Sequence, residues 1–166
     1  MTTWTIQHVD VAVRRTFEDA TALFLRHVPL ADPAEIARLK DRADVEAMMK
    51  SRAGDLGILV MARLDQGPVV SLLGPRVKLS VYLVGSPLLG ARLFARHPSA
   101  GLYAPAHVTL YEDPGGVAHF AYDRPSTLLA RFADPEVAAA GRAFDEKLAT
   151  VGQRLVLGPV GGRAES

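Results

Sequence analysis

"GLYAPAHVTLYEDPGGVAHFAYDRPSTLL", residues 101–129, is the stretch on which the fold turns. Two runs, 106–112 and 117–122, alternate apolar and polar residues around a glycine- and proline-rich turn, the pattern of an antiparallel hairpin. In the first run His107 shares a side with Thr109 and Tyr111, while Val108 and Leu110 lie on the other. In the second, His119 shares a side with Val117 and Ala121, opposite Ala118, Phe120 and Tyr122. A one-residue slip turns every side chain over, so the register decides which sides coincide. With Glu112 opposite Val117 the two histidines face apart; with Glu112 opposite Gly116, across a three-residue loop, they face together. Only the second option gathers Val108, Leu110, Ala118 and Phe120 on one core side, so patterning favours it. Pro114 sits awkwardly in the usual three-residue turn.

Outward from the hairpin, "VKLSVYLVG" (77–85) reads as a strand with Val77, Leu79, Val81 and Leu83 inward and Lys78, Ser80 and Tyr82 outward. "LGILVMARLD" (56–65) is apolar on both faces and predicts a central strand covered from both sides or in a dimer contact. Residues 3–14 alternate as a further strand, with Val9, Val11 and Val13 on one side and His8, Asp10 and Ala12 on the other. Helices are expected over "TFEDATALFLRHV", capped by Thr16 with Asp19 three residues on, and over "DPAEIARLK", opened by Asp32 and Pro33. "DVEAMMKSRAG" closes at Gly54, and "SPLLGARLFARH" opens with Ser86 as cap and Pro87 at its first position. "RPSTLLARF" and "DPEVAAAGRAFDEKLATV" close the chain, the latter with an apolar stripe of Val137, Ala140, Phe144, Leu148 and Val151. Strands and helices of uneven spacing predict an α+β domain: two layers, with a largely antiparallel sheet of four to five strands packed on helices. Residues 1–154 form this single domain, and the tail 155–166 is expected to be disordered.

Composition narrows the function. The chain has 166 residues, 49% of them hydrophobic, enough for one real core. A formal charge of +1 gives no broad attraction to phosphate backbones, so no nucleic-acid partner is expected. The absence of cysteine excludes disulfides, thiolate zinc sites, iron–sulfur clusters and thiol nucleophiles. The longest apolar run, "LGILVMA" (56–62), is too short to span a bilayer, and "MTTWTIQHVDVAV" is not a secretion signal. A cytoplasmic protein with no membrane partner is expected. Frequent Ala, Arg, Gly and Pro suggest a GC-rich bacterial genome.

"VGSPLLG" fails as a nucleophile elbow because Gly85 directly precedes Ser86, and it has too few glycines for a phosphate loop. A strand running into a helix N-terminus could hold an anion weakly, but the simpler role of Ser86 is a cap. The five histidines show no H-E-x-x-H and no short cluster with carboxylates, so neither metal nor cofactor is expected. His27 and His97 sit near predicted helix C-termini, where a cation suits the dipole. In the favoured register one sheet face carries Lys78, Ser80, Tyr82, His107, Thr109, Tyr111 and His119, with His8 and Asp10 if the first strand joins. Such a face serves as plain surface, subunit interface or ligand groove. The candidate ligand-binding residues are Tyr82, His107, Tyr111 and His119, with Asp123 and Arg124 of "YDRPS" as a charge pair. The simpler reading of the latter two is the end of a strand and the start of a helix, with Pro125 near its first turn. An enzyme would use His107 and His119 as an acid–base or metal-ligand pair, which requires both imidazoles within bonding distance of one site.

From Leu56 to Leu148, "ARLDQG", "VYLVGSPLLGARLF", "HPSAGLYAPAHVTLYED", "FAYDRPSTLLARF" and "DPEVAAAGRAFDEKL" resemble, in order, the bacterial domain of unknown function 302 family. The resemblance implies a compact, commonly dimeric α+β domain and supplies no activity or catalytic residues. Ser86 stands where the family commonly has Asn, and Gln66 where many relatives are expected to have His. The resulting expectation is a homodimer that binds a small molecule or partner.

Overall fold

The computed structural model describes residues 3–158. In chain order its elements are β1 (His8–Val13), α1 (Phe17–His27), α2 (Pro33–Ile36), α3 (Arg42–Arg52), β2 (Leu59–Asp65) and α4 (Gly67–Val70). Then come β3 (Leu79–Gly85), α5 (Pro87–Arg96), β4 (Ala106–Glu112), β5 (Ala118–Asp123), α6 (Pro125–Leu129) and α7 (Pro135–Leu157). The strands form one antiparallel sheet in the order β1-β5-β4-β3-β2. Helices α1 and α7 cross one of its faces, giving the two-layer α+β architecture that the sequence predicts.

Helix starts follow the caps. Thr16 Oγ1 accepts from the Asp19 amide at 3.1 Å, and Asp134 Oδ1 accepts from the Glu136 amide at 3.0 Å while Pro135 fills the first position of α7. Helix α7 runs beyond residue 154 because Val151 and Leu155 are both fully buried in the core. The rest of the expected tail, 159–166, lies outside the described residues.

The helix-facing side of the sheet presents Tyr82 and Val84 of β3, Val108 and Leu110 of β4, and Phe120 and Tyr122 of β5. They pack on Leu23 and Phe24 of α1 and on Phe144, Leu148 and Val151 of α7. The Phe24 ring centre is 4.8 Å from Tyr82 and 5.9 Å from Phe120. This reverses the expected orientation of β3. Ser80, Tyr82 and Val84 are buried, and Leu79, Val81 and Leu83 are half-buried on the opposite face. An apolar/polar pattern counts tyrosine as polar, yet its ring is a large hydrophobic body that fills the space beside Phe24.

Strand β2 is also not central: it is an edge. Its first half is apolar on both faces for another reason. Ile58 and Val60 enter the main core, while Leu59 joins a second cluster with Met48, Met49 and Ala53. The outer edge there is covered by residues 29–31, where the Ala31 amide donates to Val60 O and the Val60 amide to Pro29 O. After a bulge between Val60 and Ala62 the strand becomes exposed and ends in the Arg63–Asp65 pair.

The Tyr82 hydroxyl is buried without a hydrogen-bond partner among the described residues. Tyr82→Phe is therefore expected to leave the melting temperature unchanged or to raise stability by about 1 kcal/mol, since it removes an unpaired buried polar atom. Tyr82→Ala is expected to cost about 3–5 kcal/mol by opening a cavity beside Phe24. Urea unfolding of the two variants checks both.

Candidate functional site

The hairpin takes neither of the two registers weighed from the sequence. Glu112 stands opposite Ala118 and Tyr111 opposite His119. The turn spans five residues. The Asp113 amide donates to Val117 O, Asp113 Oδ1 accepts from the Val117 amide at 2.9 Å, and Gly116 supplies the positive φ of 80°. The longer turn gives Pro114 the room that a three-residue loop lacks. A shift of two residues from the favoured register preserves parity, so the expected core side is correct and His107 and His119 do share a face. They are not neighbours, however. His107 lies four residues along β4 from Tyr111, the residue facing His119, which is about 13 Å at the usual rise of a strand. No single site joins the two imidazoles.

Several other candidates also fall elsewhere. Tyr82 is buried on the helix side, so it is no surface ligand contact. Lys78 and Ser80 leave the open face too: Lys78 pairs with Glu18 and Glu112, both at 3.1 Å, and Ser80 Oγ donates to Asp65 Oδ1 at 2.6 Å. Asp123 and Arg124 do not pair with each other. His8 Nδ1 lies 2.8 Å from Asp123 Oδ1, and Arg124 donates to Gln7 Oε1 at 3.1 Å while standing at the start of α6.

What does converge is Asp10, Tyr111, Asp113 and His119. His119 Nδ1 is 2.7 Å from Asp10 Oδ1 and its Nε2 is 3.2 Å from Asp113 Oδ2. The Tyr111 hydroxyl donates to Asp10 Oδ2 at 2.5 Å, and its ring stacks on His119 with centres 4.9 Å apart. Two carboxylates holding both ring nitrogens favour the imidazolium, which donates twice. The hydrogen bond to Asp10 leads in raising the His119 pKa, with Asp113 adding to it and burial opposing. Burial pushes the Asp10 carboxyl up, but the bonds from Tyr111 and His119 outweigh it and the net shift is down. The Asp113 carboxyl is lowered, first by the Val117 amide. The bond to Asp10 lifts the Tyr111 phenol to about 12. As the imidazolium, which this arrangement favours, His119 has no lone pair with which to take a proton or bind a metal. Among the described residues no group of three or more His, Asp or Glu side chains is arranged to hold a metal ion.

A cavity of about 380 Å³ lies elsewhere, between the main core and a third cluster that includes Leu93 and Leu129. Leu89, Leu93 and Phe94 of α5 form one wall, Pro125 and Leu129 of α6 another, and Phe144 of α7 the floor. The end of β3 and the start of β4 close it at Gly85 and Ala106, and Ser86 and Tyr103 are the hydroxyl-bearing residues of its lining. It exists because the facing positions are small: Gly90 and Ala91 on α5, Ala104 and Ala106 before and on β4, Ala140 on α7. Ser86 occupies the cap position of α5, as expected, but its side chain makes no cap bond. None of the ligand-binding candidates Tyr82, His107, Tyr111, His119, Asp123 and Arg124 lines this cavity, whereas Ser86, read from the sequence as a cap, does. The signal was present in "GSPLLGA", "APA" and "VAAAGRA", whose small residues read as ordinary helix and turn until they are seen to face one another.

The sequence matches the family described as Domain of unknown function DUF302 over residues 35–155. The chain belongs to that family. A crystal structure of an uncharacterized conserved DUF302 protein from Bacillus stearothermophilus is similar with a TM-score of 0.64 at 14% identity, covering 89% of this chain and 97% of that one. At that identity the likeness concerns the fold. Among curated proteins none matches. No helix among the described residues is long and apolar enough to cross a membrane.

The His119 clamp gives a signed pH dependence. The raised pKa of His119 adds stability fully below about 6.5, and this is lost as the pH rises through its higher folded value. The lowered Asp10 and Asp113 add stability above about 3.9, lost as the pH falls through their folded values. The clamp is complete between these limits. Melting followed by circular dichroism is expected to show the gap between wild type and His119→Gln narrowing from pH 6 to pH 9. A gap that stays constant over that range would remove the cationic clamp.

Proposed function

We propose that this DUF302 protein is a cytoplasmic, homodimeric domain that binds a small molecule, with binding rather than catalysis as its role. The cavity beneath α5 carries the reading. Its volume of about 380 Å³ falls within the range of roughly 300–1,000 Å³ typical of small-molecule sites, and its wall is overwhelmingly apolar, as such sites are. The engagement of both His119 nitrogens gives an acid–base or metal reading no comparable support. The formal charge of +1 adds no pull toward nucleic acid or anionic lipid.

The open sheet face supports the dimer. Leu79, Val81 and Leu83 of β3 and Leu64 of β2, the last 54% exposed, form an apolar band beside Tyr111, His119 and Asp10. An apolar centre with a polar, tyrosine-bearing margin is the usual make-up of a subunit contact.

Two measurements test these parts separately. The neutral fluorophore N-phenyl-1-naphthylamine is expected to brighten and saturate at one molecule per chain. Ala140→Leu, which narrows the void, is expected to weaken the signal without lowering the melting temperature. No saturable signal overturns the site. Light scattering at tens of micromolar is expected to give twice the chain mass, and Leu83→Glu the mass of a single chain. A wild-type monomer removes the dimer.

A further inference from the structure

The cavity differs from most enzyme clefts in what its wall lacks. Among the residues that line it there is no carboxylate, ammonium, guanidinium or imidazole. A charged guest would leave water and find no counterion, a transfer that apolar surroundings oppose strongly. The first turn of α5 offers an anion little, because Pro87 brings no N–H to it. Arg92 and Arg96 of the same helix line a separate groove on the side of α7 that carries Glu136, where Arg96 is already paired with Asp134.

Two residues of the apolar wall carry side-chain hydroxyls, and they are not equivalent. The Tyr103 hydroxyl accepts a hydrogen bond from Arg131, whose guanidinium is also stacked 4.9 Å from the Trp4 ring and 5.2 Å from Tyr103 itself. That group is tethered to the outside. Ser86 is different. Its backbone carbonyl receives the Gly90 amide, but its hydroxyl, placed where a helix cap would bond, does not cap α5 and has no partner among the described residues. Ser86, a residue of this largely apolar wall, thus carries a donor–acceptor that no other described side chain or backbone group engages.

We infer that the cavity takes an uncharged, predominantly apolar small molecule bearing one hydrogen-bonding group, such as a medium-chain alcohol or ketone, with that group placed on the Ser86 hydroxyl. This rests on the reading of the cavity as the binding site and adds the class of its ligand. The apolar wall supplies most of the affinity through buried area, and Ser86 supplies orientation and preference.

Isothermal titration of the full chain with toluene, 1-octanol and sodium octanoate at pH 7.5 tests the class. Toluene has no hydrogen-bonding group and reports on the cavity alone. 1-Octanol is expected to bind at least tenfold more tightly than octanoate. Ser86→Ala is expected to weaken octanol by about three- to tenfold, the worth of one neutral hydrogen bond, and to leave toluene unchanged. Ser86→Thr keeps a hydroxyl and is expected to keep the octanol preference, and thermal melts of both variants confirm that they fold. If toluene binds but octanoate equals octanol, or Ser86→Ala leaves octanol untouched, the ligand class is wrong and the site stands. If none of the three probes binds, the site itself is wrong and the inference falls with it.

Discussion

The Phe24 ring sits against Tyr82 on one side and Phe120 on the other, and the facing of every strand is tied to that contact. Adjacent strands must share parity at paired positions, so once Tyr82 of β3 and Phe120 of β5 point at α1, Val108 and Leu110 between them must do the same. Phe120 in turn brings Val11 of β1 to the helix side. The remainder is then forced outward: Leu79, Val81 and Leu83 on β3, His107 and Tyr111 on β4, His119 on β5 and Asp10 on β1. The open face is therefore a by-product of how three aromatic rings fill one space. Its mixed character, apolar toward β2 and ionic toward β1, follows from the same parity.

The sequence displayed some of this clearly. Helix starts at Thr16 and Asp134 are written in side chains that bond to the backbone within three residues, so they are legible without any tertiary contact. The core side of the hairpin is legible for a similar reason, because parity survives an error of two residues in register. The register itself was not, since it depends on Asp113 bonding across its own turn, a side-chain choice that apolar patterning does not see. The facing of β3 misled because Tyr82 carries its hydroxyl into the core unpaired. The position of β2 misled because a segment 29 residues earlier in the chain, Pro29–Ala31 against Ile58–Val60, supplies cover that resembles a neighbouring strand. Least legible was the cavity, which is defined by what Gly90, Ala106 and Ala140 do not fill.

The ionisable groups and the cavity occupy separate parts of the molecule. Asp10, Asp113 and His119 satisfy one another across β1, β5 and the turn, tying an edge strand to the hairpin that supports it. Their chemistry is spent on one another. The cavity, enclosed by α5, α6 and α7 at the ends of β3 and β4, contains almost none of it. The positions most conspicuous in the sequence therefore hold the fold together, and the least conspicuous ones make the space.

Helices α6 and α7 meet at Gly141, where a Cβ would lie 2.8 Å from the Cα of Ser126. That approach holds the helix seam closed beside the cavity, which the neighbouring residues Pro125 and Ala140 line. One position is closed by backbone against backbone, and the next opens onto the cavity. A longer side chain at 140 would thus make the cavity shallower, while any side chain at 141 would have to part the two helices.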